Sequence, residues 1–305
     1  MKAIRIHQYG GPEVLTLDET PRPEPGPGQV LVRVHAAGVN PADWKVRAGY
    51  FKEFLPLQLP AILGFDLAGE VEAAGPGVAG FSKGVQVYGT AMGTYAEYVA
   101  ANVAEIAPRP RSLDYVRSAS IPVSAQTAWQ ALFDAGGLKA GQTVLIHGAT
   151  GGVGSFAVQL AKAKGAHVLG TASARNQAYL RELGADEPID YETTKFESVA
   201  HDVDVVFDTQ GGATQQRSWP VLKRGGVLVS IAQPPSQEEA AKYGVRGVYL
   251  GQKASVEQLV EIAGMVDAGK LKTTVEVVLP LAEARRAQEL SESGHTRGKI
   301  VLTCD

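Results

Sequence analysis

Cysteine is all but missing: Cys304 is the single copy in 305 residues. No internal disulfide can form, and no cysteine cluster can hold a structural metal. An excess of charge of either sign is missing too. Lys and Arg number 29 against 32 Asp and Glu, a net charge of −3, which leaves no electrostatic footprint for a nucleic-acid partner. No apolar run reaches the roughly 18 residues needed to cross a bilayer. The opening stretch, Met1-Lys2-Ala3-Ile4-Arg5-Ile6, alternates like a strand and lacks the apolar core of a secretory signal. The expectation is a cytoplasmic protein with neither membrane nor nucleic acid as a partner.

What is present is an ordinary globular balance, 45% hydrophobic and 20% charged, with 35 glycines. The length suggests two domains rather than one core. Gln29–Gly38, Ala68–Ala74 and Tyr95–Val99 alternate apolar and polar residues between Gly-Pro punctuation, which predicts a β-rich first part. From about residue 122 the pattern changes to short apolar strands alternating with helical stretches. Strands are expected at 143–147, 167–171, 203–207 and 227–231, with helices from Gly152 to Lys164, Gln177 to Leu183 and Val256 to Met265. Repeated strand–helix units call for a doubly wound parallel sheet. Thr273–Leu279, Ala282–Ser291 and Lys299–Leu302 read as strand, helix and strand that rejoin the first domain. The expected division is 1–121 with 270–305, and 122–269, in an α/β protein.

The strongest chemical signal is Gly148-Ala149-Thr150-Gly151-Gly152-Val153-Gly154, between an apolar strand and an amphipathic helix. Glycines there let the backbone approach a pyrophosphate, and free N–H groups at the helix start bind the anion with help from the helix dipole. Gly154 would let the helix pack closely on the strand. A phosphate-transferring loop would end in Gly-Lys-Ser/Thr, and this one does not.

Enzymes that prefer NAD place Asp or Glu at the end of the second strand, on the ribose 2′-hydroxyl. Here that strand runs into Thr171-Ala172-Ser173-Ala174-Arg175-Asn176, which carries no carboxylate. Ser173 and Arg175 offer a hydroxyl and a guanidinium fork suited to a 2′-phosphate. Ser173 also reads as a helix cap, and the two roles can coexist. NADPH is the expected cofactor.

At this point the chain resembles the medium-chain dehydrogenase/reductase superfamily, in its quinone oxidoreductase and zeta-crystallin-like branch. The resemblance is carried by 37–43 (AGVNPAD), 64–71 (GFDLAGEV), 127–132 (TAWQAL), the glycine turn, 183–186 (LGAD), Asp190-Tyr191 and 298–302 (GKIVL). It implies a GroES-like catalytic domain beside a Rossmann domain. The zinc-dependent branch carries a cysteine and a histidine where Asn40 and Phe65 stand here, and neither supplies the thiolate or imidazole that zinc prefers. The four-cysteine lobe is absent between Val87 and Tyr95. His35 and Asp66 remain as metal-ligand types, read as a chance buried pair. The expectation is a zinc-independent enzyme.

The resemblance further implies hydride delivery from nicotinamide C4 into a cleft between the domains. Asn40 and Thr127 would lie beside the nicotinamide, with Asp43 and Tyr50 lining the acceptor cleft. Asn40 also reads as a turn residue before Pro41, Asp43 as a helix N-terminal acid and Tyr50 as packing. Gly151, Gly152 and Val153 would give N–H groups to the cofactor, and Ser173, Arg175 and Tyr191 would surround its 2′-phosphate. Ser230 and Ile231 would touch the nicotinamide ribose through backbone atoms. Lys299 would reach the pyrophosphate or lie on the surface. Without a metal, an acceptor activated by conjugation is required. An NADPH-dependent quinone reductase is therefore expected. The alternatives are an enone or alkenal double-bond reductase and a non-catalytic NADPH-binding protein. An exposed edge strand near Val245–Leu250 suggests a homodimer.

Overall fold

The computed structural model describes residues 1–304. The chain divides into two compact units: Met1–Val123 with Ala254–Gly269 and Thr273–Asp305, and Ser124–Lys253 with Lys270–Lys272. The boundary differs from the sequence expectation at one element. The helix Val256–Asp267 belongs with the first unit, although it directly follows the strand–helix series. Tyr88 donates its hydroxyl to Leu259 O, and the Asp267 carboxylate accepts from the Arg111 and Ser112 amides. These contacts, invisible in periodicity, tie the helix to the β-rich part.

In the first unit Leu15–Glu19, Lys2–Ile6 and Ala61–Ile62 form a small antiparallel sheet. A larger sheet runs in the order Val275–Pro280, Lys299–Thr303, Gln29–Val39, Asp66–Ala74, Gln86–Thr90, Ile106–Pro108, and Tyr98–Asn102 also pairs with Gln29–Val39. The alternation read in 29–38 buries Val30, Val32 and Val34 in a core shared with Leu67, Val71, Val87, Ile106 and Leu302. The strand expected at Tyr95–Val99 begins at Tyr98 instead. The Tyr95 amide donates to Leu63 O and its carbonyl accepts from Ile4, and Ala96 bridges Ala3, so those residues lie against the strand Lys2–Ile6 without forming a strand of their own.

The second unit is a six-stranded, all-parallel sheet in the order Glu187–Asp190, His167–Ala172, Thr143–Ile146, Val203–Asp208, Leu222–Ser230, Arg246–Tyr249. Counted along the chain this is 3-2-1-4-5-6, the doubly wound order whose direction reverses between the first and fourth strands. Helices Gly152–Ala163, Gln177–Glu182, Gly212–Ser218 and Gln237–Tyr243 link successive strands. Thr143–Ile146 sits at the centre, with Val144, Leu145 and Ile146 fully buried. The strand Glu187–Asp190 escaped the sequence reading because Pro188 interrupts it; it lies at a sheet edge, where a missing N–H is tolerated. The strand Leu222–Ser230 starts earlier than expected, because its exposed Lys223-Arg224-Gly225 shows no apolar pattern. Among the described residues, no helix is long and apolar enough to cross a membrane.

Gly154 controls how closely the first helix meets the first strand. A Cβ there would run into Gly148 O and stand 2.8 Å from Ala149 Cα, both backbone atoms that cannot rotate away. Gly154→Ala should therefore lower stability by about 1–3 kcal/mol through overpacking, read as a reduced urea midpoint. An unchanged midpoint would show that the turn has room to shift.

Candidate functional site

The glycine turn leaves the central strand at the point where strand order reverses, the place where α/β sheets bind ligands. Gly148 has φ +64°, a left-handed conformation that costs an ordinary residue energy and costs glycine little. Gly151 is extended and precedes the helix. Its N–H is already used, donating to Gly148 O at 3.1 Å. Of the three amides expected to serve a pyrophosphate, Gly151's thus closes the turn. Those of Gly152 and Val153 begin the helix, where no acceptor of their own helix exists.

The second strand ends at Ala172 and passes into the short turn Ala174–Asn176. Ser173 is half-buried, its hydroxyl accepting from Asn176 Nδ2 at 3.3 Å, and Arg175 is exposed. The Tyr191 amide donates to Ala172 O at 3.3 Å, so the next strand's end sits beside this segment, with the Tyr191 side chain 56% exposed. The carboxylate of Asp190 is turned to its own loop, accepting from Glu192 N and Thr193 Oγ1.

A group that sequence reasoning missed is Asp208, fully buried at the end of the fourth strand. It accepts from Gln210 N, Gly211 N, Gln215 Nε2 and Ser230 Oγ, between 2.8 and 3.0 Å. An Asp followed by Thr-Gln-Gly-Gly was the available signal, since an Asx turn uses that spacing. Asp208 fastens the loops after the fourth and fifth strands. Ser230 O accepts from Leu250 N and Ile231 N donates to Asp208 O. The backbone atoms expected to meet a ribose therefore already have partners, apart from the carbonyl of Ile231 and second lone pairs. Thr127 is buried in the helix Pro122–Trp129.

In the first unit the sequence candidates gather differently from expectation. Lys299 is neither on the surface nor free: it is buried, and its ammonium donates to Asn40 Oδ1 and to Asp66 Oδ2, the latter at 3.2 Å. Asp66 also accepts from Asn40 Nδ2 at 2.9 Å and Val123 N at 2.7 Å. Its pairing is with Lys299, not His35, which stacks on Tyr115 at 4.4 Å between centroids. Burial raises the Asp66 carboxyl, and Lys299 opposes the shift.

Asp43 does not line a cleft. It is fully buried, accepting from Asn40 N and Tyr95 Oη at 2.7 Å each, and so closes the first turn of the helix Pro41–Arg47. Burial pushes its carboxyl up to about 7, against those two hydrogen bonds. The helix N-terminal reading was the correct half of the alternative. Tyr50 is 68% exposed, edge-on to Trp44 at 5.9 Å.

Two family descriptions match this chain: "Alcohol dehydrogenase GroES-like domain" over 26–111 and "Zinc-binding dehydrogenase" over 183–302. A chloroplast envelope quinone oxidoreductase homolog from Arabidopsis thaliana is 33% identical, over 99% of this chain and 98% of that protein. The structure of the quinone oxidoreductase from Coxiella burnetii superposes with a TM-score of 0.92 at 38% identity, covering 100% of this chain and 99% of the other. The Escherichia coli quinone oxidoreductase complexed with NADPH gives 0.91 at 28% identity, covering 99% and 100%.

Two outcomes follow from the buried charges. Lys299→Met strands the Asp66 carboxylate and should cost about 3–5 kcal/mol. The Asp66→Asn, Lys299→Met double variant should cost less than the sum of the singles; strict additivity in urea unfolding would deny the pairing. Asp43 is raised in the folded state from an ordinary 3.8 to about 7. Its contribution is therefore complete below about 4 and declines as pH rises through about 7. Asp43→Asn should gain on the wild type in that window, and parallel pH–stability curves would contradict this.

Proposed function

Because the chain belongs to the medium-chain dehydrogenase/reductase superfamily, in its quinone oxidoreductase branch, we propose that it is an NADPH-dependent quinone reductase that works without zinc. The observation that carries the reading is the pairing of the glycine turn with a carboxylate-free Ser173–Arg175 segment. An acid at that segment would repel a 2′-phosphate; a hydroxyl and a guanidinium attract one. The NADPH named for the bacterial relative is consistent with this.

The turn fits a dinucleotide. A Cβ at Gly154 would strike the backbone of Gly148 and Ala149, and one at Gly148 would meet Gln210 and Thr209. The tight turn therefore depends on both glycines, and Gly152 and Val153 present amides to an anion. When bound, NADPH supplies the hydride. Gly152 and Val153 hold its pyrophosphate, Ser173 and Arg175 bind the 2′-phosphate, and Tyr191 covers the adenosine. Ser230 and Ile231 are assigned to the ribose through the carbonyl groups that retain capacity. Thr127 is assigned to the nicotinamide.

The residues do not fit a zinc ion. Asn40 offers an amide whose oxygen and nitrogen are taken by Lys299 and Asp66, and Asp66 is neutralised by Lys299. An ammonium bonded to the Asp66 carboxylate repels a dication at this place. Lewis-acid activation is therefore left to the acceptor's own conjugation, which a quinone possesses. Asn40, held rigidly at both ends of its amide, is assigned to the nicotinamide as a fixed polar wall. Tyr50, exposed and aromatic, is assigned to the acceptor ring, and the proton comes from water or a nearby donor. The edge strand Arg246–Tyr249, paired on one side only and carrying a half-exposed Tyr249, supports pairing of two copies.

Steady-state oxidation of NADPH and NADH by a quinone, in wild type and Arg175→Ala, tests the proposal. A cation–phosphate contact of ~1.5–3 kcal/mol predicts a roughly ten- to hundred-fold loss in kcat/KM, confined to NADPH. Equal losses for both cofactors, or no quinone reduction by the wild type, would contradict it.

A further inference from the structure

Behind the glycine turn runs a buried hydrogen-bond chain that none of these roles uses. His147, the last residue before the turn, is buried and edge-on to Phe196 at 4.6 Å between centroids. Its Nε2 lies 3.0 Å from Ser218 Oγ and its Nδ1 lies 3.2 Å from Thr171 Oγ1. Ser218 has one hydroxyl proton, and that proton goes to Thr214 O at 2.7 Å. Ser218 can then only accept from the ring, which places the imidazole proton on Nε2.

The rest of the chain follows from that tautomer. Burial holds the imidazole below its usual pKa, so Nδ1 is a bare acceptor and the Thr171 hydroxyl donates to it. The Thr171 oxygen keeps its lone pairs, and Gly148 N donates to it at 3.3 Å. The main chain of Thr171 completes the hold, its carbonyl accepting from Ala149 N at 3.0 Å. One residue of the second strand thus grips the first two amides of the turn. Ser173 and Arg175 follow two and four residues later on the same strand end.

We propose that Thr171 and His147 are positioning residues for the dinucleotide, registering the pyrophosphate turn against the 2′-phosphate segment so that both phosphate groups are held at once. This rests on the reading that the turn takes NADPH. Thr171→Val keeps the shape of the side chain and deletes the oxygen that receives Gly148 N. The Gly148 peptide is then free to rotate toward another acceptor, and binding must restore the turn before the amides of Gly152 and Val153 are aimed. A share of molecules in the competent turn conformation weakens apparent affinity in proportion, without touching the chemical step.

The test is titration of the full chain with NADPH and with NADH, followed by nicotinamide fluorescence, at a temperature where circular dichroism shows every variant folded. Thr171→Val should weaken both cofactors by about tenfold, leave kcat at saturating cofactor unchanged, and be rescued by Thr171→Ser to within about twofold of wild type. Wild-type affinity in folded Thr171→Val overturns the proposal, as does an equal loss in Thr171→Ser. If Thr171→Val does not fold, His147→Leu carries the test, with weaker binding expected and wild-type affinity overturning it. A wild-type chain that takes up neither cofactor overturns the NADPH reading along with the positioning role.

Discussion

The second unit is organised around a close approach of backbone to backbone. Gly154, in the first turn of its helix, rests on Gly148 and Ala149 with no space for a methyl group. That contact sets the distance between the central strand and the helix that follows it. It also decides where the helix's first amides stand. The conformation of Gly148 and the closing bond from Gly151 N to Gly148 O belong to the same constraint. What the turn presents at the helix start is main chain, the amides of Gly152 and Val153, and their placement follows from that packing.

The first unit solves a different problem, the placing of charge inside a β-rich core. Lys299 and Asp66 are both buried and neutralise one another, and Asn40 is held between them. A buried ion pair contributes little net stability against a well-packed apolar core, but removing one partner is costly. What the pair does is fix the amide of Asn40, oxygen toward the ammonium and nitrogen toward the carboxylate. Asp43 and Tyr95 fasten the backbone of the same residue from the other side. Two sets of hydrogen bonds thus hold Asn40 rigid.

Much of this was legible in the sequence, and the reasons separate cleanly. The parallel sheet was readable because its strands, buried on both faces, appear as short apolar runs, and the glycine turn because its spacing serves one geometry. The strand holding Pro188 was hidden because an edge position suspends the usual rule against proline. The helix Val256–Asp267 was assigned by adjacency, whereas Tyr88 and Ser112, far away in sequence, determine where it belongs. Lys299 and Asp43 were misread for one shared reason. Sequence treats a charged side chain as exposed by default, and the partners that bury these two, Asn40 and Asp66 for Lys299 and Tyr95 for Asp43, lie far off along the chain. The relay through His147 and Thr171 was unreadable, because it depends on which hydroxyl proton is already committed.

The central claim is that Ser173 and Arg175 accommodate an extra phosphate on the adenosine. Phosphorus NMR of NADPH bound to the wild-type chain addresses it directly, because the 2′-phosphate reports its own ionisation. A phosphate monoester loses its second proton at about pH 6 in water. Paired with a guanidinium and a hydroxyl, the bound group should stay dianionic well below that pH. A bound 2′-phosphate that titrates as it does in free cofactor would contradict the account.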